Sequence, residues 1–192
     1  MDDLKGLSIL TFTNSREWRD WLEKNQSNID GVWLKLFKKS SGKQSFTYHQ
    51  ALDEALCFGW IDGIKKSFDD QAWLQKFTPR RKRSTWSKIN RQHVARLVKE
   101  KKMTEFGLKE IERAKQDGRW DAAYDSPKNM KVPADFLTEL KKDKMSYEFY
   151  KTLNKANTYA IAWRLRSAKK PETRERRMNV LLKMMKDHKK LH

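Results

Sequence analysis

Residues 51–86 read ALDEALCFGWIDGIKKSFDDQAWLQKFTPRRKRSTW, and three changes of pattern inside this stretch set the fold. Ala51, Leu52, Ala55 and Leu56, with Tyr48 before them, lie on one stripe at helical spacing. Thr47 is the expected cap in front of that helix, and Gly59 the left-handed residue that closes it. Trp60 to Lys66 and AWLQKFTP (72–79) then read as two strands around an Asp69-Asp70 turn, a hairpin stopped by Pro79. Finally, Arg80, Arg81, Lys82 and Arg83 run into Ser84, Thr85, Trp86 and Ser87, one of whose hydroxyls is expected to cap the next helix.

Working upstream, GVWLKLFKK (31–39) is a strand with Val32, Leu34 and Leu36 on one face and Trp33, Lys35 and Phe37 on the other. Both faces are therefore expected to be at least partly covered. SSGKQS (40–45) is a loop by composition. Before it, Asn14 caps a helix over 15–25 carrying Trp18, Trp21 and Leu22, with Glu17 as the capping-box partner. SILTFT (8–13) is a short strand. The order β-α-β-α-β-β predicts an α+β fold, a small four-stranded, mainly antiparallel sheet with helices.

Downstream the period changes to 3.6. Ile89, Val94, Leu97 and Val98 mark one helix. Thr104 caps another, carried by Leu108, Ile111 and Ala114 and closed by Gly118. Residues 119–132 connect, pinned by Trp120 and Tyr124. Four further helices follow. They are built on Phe136, Leu137 and Leu140; on Phe149, Tyr150 and Leu153; on Tyr159, Ile161, Ala162 and Leu165; and on Met178, Leu181, Leu182 and Met185 with Pro171 in the first turn. The expected division is an α+β domain over 1–125 and a C-terminal helical module over 126–192.

Composition bounds the function. The 192 residues hold 43 Lys/Arg against 25 Asp/Glu, a formal charge of +18, which draws acidic partners inward: nucleic acid, phosphorylated molecules, anionic headgroups or acidic proteins. A solubilising surface is the other reading. Residues 76–102 are the sharpest basic stretch, with eleven Lys/Arg and one acid, Glu100. The single cysteine, Cys57, rules out an internal disulfide and a Cys-rich zinc site. The four histidines lack metal-ligand spacing, so no metal and no cofactor is expected. MDDLKGLSIL has no secretory pattern, and no apolar run approaches the ~20 residues of a membrane span. A cytoplasmic protein is the expectation.

Two candidate sites follow. In the first, Arg80, Arg81 and Arg83 contact a phosphate or carboxylate, Ser84 and Ser87 donate hydrogen bonds, and Trp86 stacks on a ring, beside the positive end of a helix. The competing arrangement has the arginines paired with Glu54, Asp62, Asp69 or Asp70. The second is a cleft at Glu54, Cys57, Trp60 and Asp62, with the two carboxylates as acid and base on an anionic substrate. There Cys57, in a helix's last turn, reads more readily as a buried, inert thiol. None of the phosphate-loop, dinucleotide, zinc-protease or serine-hydrolase motifs is present, so catalysis is left open.

The runs EALCFGWIDG (54–63), FTPRRKRSTWSKIN (77–90) and MTEFGLKEIERAKQDGRWDAAY (103–124), with the tail TYAIAWRLRSAKKPETRERRM (158–178), resemble the bacteriocin-protection (YdeI/OmpD-associated) family. The resemblance implies a role in protection against bacteriocins or cationic peptides and supplies no catalytic residues. Together these readings give a protein that binds an anionic ligand or nucleic acid through the basic loop 80–87. The alternatives are a small-molecule enzyme, or an adaptor using an exposed stripe at Met178–Met185.

Overall fold

The computed structural model describes residues 6–26, 30–43, 45–125 and 130–192. The acidic start at residues 2–3, loop residue 44 and the connecting residues 126–129 lie outside them. The chain forms two compact units, Met1–Tyr124 and Asp125–His192.

The first unit holds β1 (Ile9–Leu10), α1 (Ser15–Asn25), β2 (Val32–Phe37), α2 (Tyr48–Cys57), β3 (Trp60–Ser67), β4 (Ala72–Pro79), α3 (Lys88–Lys99) and α4 (Glu105–Gln116). The sheet order is β1-β2-β4-β3. Only β1 on β2 is parallel, and the β2–β4 and β3–β4 pairs are antiparallel. The α+β class and the mainly antiparallel four-stranded sheet are thus as the pattern of residues 8–79 predicts. The helix starts follow from side chains competing for otherwise unpaired amides. The Asn14 carboxamide accepts from the Glu17 amide at 3.0 Å. Thr47 and Gln50 form a full capping box on α2. The hairpin turn is held by Asp69, whose Oδ1 accepts from the amides of Gln71 (2.8 Å) and Ala72 (2.6 Å).

α2 is the hub: it packs against α1, α3, α4 and β3. Its buried stripe, Ala51, Leu52, Ala55, Leu56 and Cys57, meets Trp18 and Leu22 of α1, Phe77 of β4 and Trp60 of β3. Gly59 turns the chain from α2 into β3 at φ +74°, a conformation costly for a side chain with Cβ.

Two expected stripes are shifted. Ile89 and Val98 are 43% and 47% exposed, and α3 buries Asn90, Val94 and Leu97 instead. Likewise Leu108 is exposed, and α4 buries Gly107, Ile111 and Ala114. Hydrophobicity alone cannot choose between two adjacent helix faces. The close approach of α4 to the end of α2 does, as Gly107 shows below.

The second unit packs α5 (Ala134–Leu140), α6 (Lys144–Lys151), α7 (Lys155–Arg166) and α8 (Pro171–Lys186) around Phe136, Leu140, Ile161, Leu165, Leu181 and Met185. The stripe proposed for an adaptor is therefore core: Leu181 and Met185 are buried, and Met178 and Leu182 pack against them. Buried Asn157 fastens the chain after α8, its Oδ1 accepting from the amides of Leu191 (2.8 Å) and His192 (3.1 Å). No helix among the described residues is long and apolar enough to cross a membrane.

Candidate functional site

The basic loop begins where β4 ends. The Arg80 amide donates to the Gly59 carbonyl at 3.0 Å. A tight turn follows, in which the Ser84 amide donates to the Arg81 carbonyl (2.9 Å) and the Arg81 amide to Ser84 Oγ (2.9 Å). This closes residues 81–84 into a projection whose tips, Arg81, Lys82 and Arg83, are exposed. Among the described residues none of the three is in an ion pair, so the pairing with Glu54, Asp62, Asp69 or Asp70 does not occur. Glu54 is held by Arg19, Asp62 by the Tyr48 hydroxyl and Asp69 by Lys35.

Arg80 is placed differently from its neighbours. It is 6% exposed, its guanidinium lies 3.5 Å over the Trp86 ring, and its Nη1 donates to the Thr85 carbonyl at 3.2 Å. Burial pulls its pKa down to about 10, opposed by the carboxylates of Glu110 and Asp62. Trp86 is 2% exposed. One face carries Arg80 and its ring meets Trp120 edge-on at 4.9 Å, so it is a core residue and has no face to offer a ligand. Ser87 is buried as the α3 cap, accepting from the Asn90 amide at 3.0 Å. The Lys88 amide is taken by the Tyr124 carbonyl at 2.9 Å. The positive end of α3 is therefore engaged by the protein itself rather than turned outward with the arginines.

The Arg80 guanidinium is buried over Trp86, and among the described residues its Nε and Nη2 have no hydrogen-bond partner, so the buried charge is only partly compensated. Arg80→Met is expected to stay within about 1 kcal/mol of the parent or to be more stable, since an apolar isostere removes a buried charge. Arg80→Ala, which uncovers Trp86, is expected to lose about 2 kcal/mol or more. Chemical denaturation measures both, and equal losses would show that the charge itself is required.

Beside the loop stand groups that the sequence pattern did not single out. Arg119 donates from Nη1 to the Ser84 carbonyl at 2.7 Å while its Nε is held by Asp117 at 2.7 and 2.8 Å. This clamps the loop to the turn that carries Trp120. The Arg91 guanidinium lies 5.0 Å over the Trp120 ring, and its Nη1 donates to the Trp120 carbonyl at 2.8 Å. Lys88, Arg91, Gln92 and Ala95 recur at i, i+3, i+4 and i+7 along α3 and, with Trp120, line a shallow open groove. The signal was present in part: the α3 residues share one helix face, but the partner ring comes from a segment 25 residues beyond Ala95.

The second candidate site does not assemble. Glu54 Oε2 pairs with Arg19 at 2.7 Å, and Asp62 Oδ2 accepts from the Tyr48 hydroxyl at 2.8 Å. Trp60 is 1% exposed and Cys57 fully buried. Burial, reinforced by the Glu54 carboxylate, pushes the Cys57 thiol up to about 11, so no thiolate nucleophile forms near neutral pH. These four residues belong to the core and its edge, with both carboxylates engaged by neighbouring side chains. Another acid, Asp53, joins α2 to α3 by accepting from His93 Nδ1 at 2.6 Å and from Arg96. Among the described residues no group of three side chains is arranged to hold a metal.

Comparison with known families divides the chain along similar lines. A domain of unknown function, DUF8412, matches residues 10–110, and the family described as bacteriocin-protection, YdeI or OmpD-associated (OmdA) matches residues 129–188. The chain belongs to the DUF8412 family and carries a C-terminal OmdA domain. The OmdA domain coincides with α5–α8 of the second unit. The runs at 54–63 and 77–90 that also carried the resemblance fall in the DUF8412 match. No curated protein and no solved structure matches the chain.

Proposed function

We propose that this protein binds a phosphate-bearing anion on the surface formed by the loop at residues 80–87. Arg81, Lys82 and Arg83 meet the charge, and the Ser84 hydroxyl adds a donor. The observation that carries the reading is that three adjacent exposed cations have no carboxylate partner among the described residues. Their backbone is also held in place by Ser84 and Arg119. A held loop gives up less freedom on binding than a slack one, so more of the attraction appears as affinity. The formal charge of +18 supplies long-range attraction of the same sign. In the cell we place this activity in the cytoplasm, with the protective role that the OmdA description suggests as its setting. Arg80, Trp86 and Ser87 support the loop from beneath.

The reading is tested with inorganic polyphosphate by titration calorimetry across a salt series. Affinity is expected to fall steeply with salt. In an Arg81→Ala/Lys82→Ala/Arg83→Ala variant the log–log slope is expected to flatten by about 2, at roughly 0.7 for each phosphate no longer neutralised. A flat salt response in the parent, or unchanged affinity in the variant, would overturn the proposal.

A further inference from the structure

The groove beside the loop narrows the class of ligand. It combines a half-buried indole, a guanidinium layered on that indole, a carboxamide and a small residue, all within one face of α3 and one turn. A simple phosphate needs none of the apolar surface. A planar heteroaromatic ring does, because it can lie against the guanidinium–indole pair of Arg91 and Trp120 while Gln92 meets its polar edge. The cations of residues 81–83 belong to the loop that Arg119 ties to this same turn, so ring and phosphate contacts sit on neighbouring surfaces. We infer that the ligand is single-stranded nucleic acid, with a base placed against the Arg91–Trp120 pair in the α3 groove and its backbone phosphates along Arg81–Arg83; this rests on the anion reading above.

Two features favour a strand over a free nucleotide. Small-molecule sites enclose most of their ligand, whereas this groove runs open along a helix face. Lys88 and Arg91 carry the positive charge of the loop onto the groove face of α3, which suits a row of phosphates better than a single cluster. A duplex fits less well, since its bases are stacked inward and present no free face to an indole.

Fluorescence anisotropy on the full chain tests this with three probes. These are a labelled single strand of about 15 nucleotides, a size that spans the range of one binding module, an abasic strand with the same phosphates, and the matching duplex. Polyphosphate binding is followed in parallel. The base-bearing strand is expected to bind on the order of tenfold more tightly than the abasic one and to be preferred over the duplex. Trp120→Ala is expected to erase that difference, and Trp120→Phe to retain it. Ala95→Leu, an exposed and helix-compatible change that fills the groove without altering charge, is expected to act like Trp120→Ala and decides the matter if Trp120→Ala fails to fold. Equal affinity for base-bearing and abasic strands, or a difference that survives Ala95→Leu, overturns the inference. If polyphosphate binds in that case, the anion reading stands alone. If neither strand nor polyphosphate binds, both fall.

Discussion

Trp18→Ala is expected to remove about 3–5 kcal/mol from the stability of the first unit, a large part of the roughly 5–15 kcal/mol typical of a domain. Trp18 is fully buried at the meeting of α1, α2 and the sheet. It stacks on Trp21 at 5.3 Å and 13°, tilts against Phe12 and Phe77 at 5.7 Å, and meets the edge of Trp60 at 6.3 Å. Its indole N–H donates to the Ala51 carbonyl at 3.1 Å, tying α1 to the hub helix. Alanine would forfeit the aromatic packing and leave a cavity that the surrounding elements cannot all collapse into. Trp18→Phe keeps most of the packing and should cost about 1–2 kcal/mol, the hydrogen bond and part of the ring area. Denaturant unfolding of the two variants separates these effects. A loss below about 1 kcal/mol for Trp18→Ala would mean that this cluster does not hold the unit together.

Gly107→Ala is expected to destabilise by about 1–3 kcal/mol, although alanine is the better helix former by about 1 kcal/mol. A Cβ at this position would stand 2.3 Å from the Cys57 carbonyl oxygen and 2.9 Å from its carbon. It would also stand 2.6 Å from Met103 Cε, but that atom ends a flexible side chain and can move. The carbonyl cannot, because it accepts from the Thr104 amide at 3.1 Å and the Thr104 hydroxyl at 2.7 Å. Making room requires α4 to lift from the end of α2 and give up those bonds. Calorimetry should show a lower melting temperature for Gly107→Ala. A rise, as propensity alone predicts, would mean that the two helices do not approach so closely.

Trp18 was legible in advance because it shares one helix stripe with Trp21 and Leu22, and so large an apolar ring favours the core side. Gly107 was not, because a glycine inside a helix is locally only a weak position. Its meaning lies in a carbonyl fifty residues away. The same holds at the candidate surface. Exposed Arg81 and Arg83 were legible as part of a basic run, whereas Arg80 is buried because it directly follows β4 and is still held against Gly59 before the turn. Trp86 looked available for stacking until Arg80 and Trp120 covered it.

From the chain alone came the main strands and helices, their order and the caps of α1, α2 and α4, since these depend on periodicity and on side chains meeting amides three or four residues off. The strong positive charge and the short basic loop were equally set by composition. Only the folded molecule decided which basic and aromatic groups face water and which face each other. That choice depends on contacts between distant segments: Gly59 with Arg80, Ser84 with Arg119, and Arg91 with Trp120. A one-residue difference in where a strand stops or a helix lands sends a side chain to the opposite environment, and no local pattern records it.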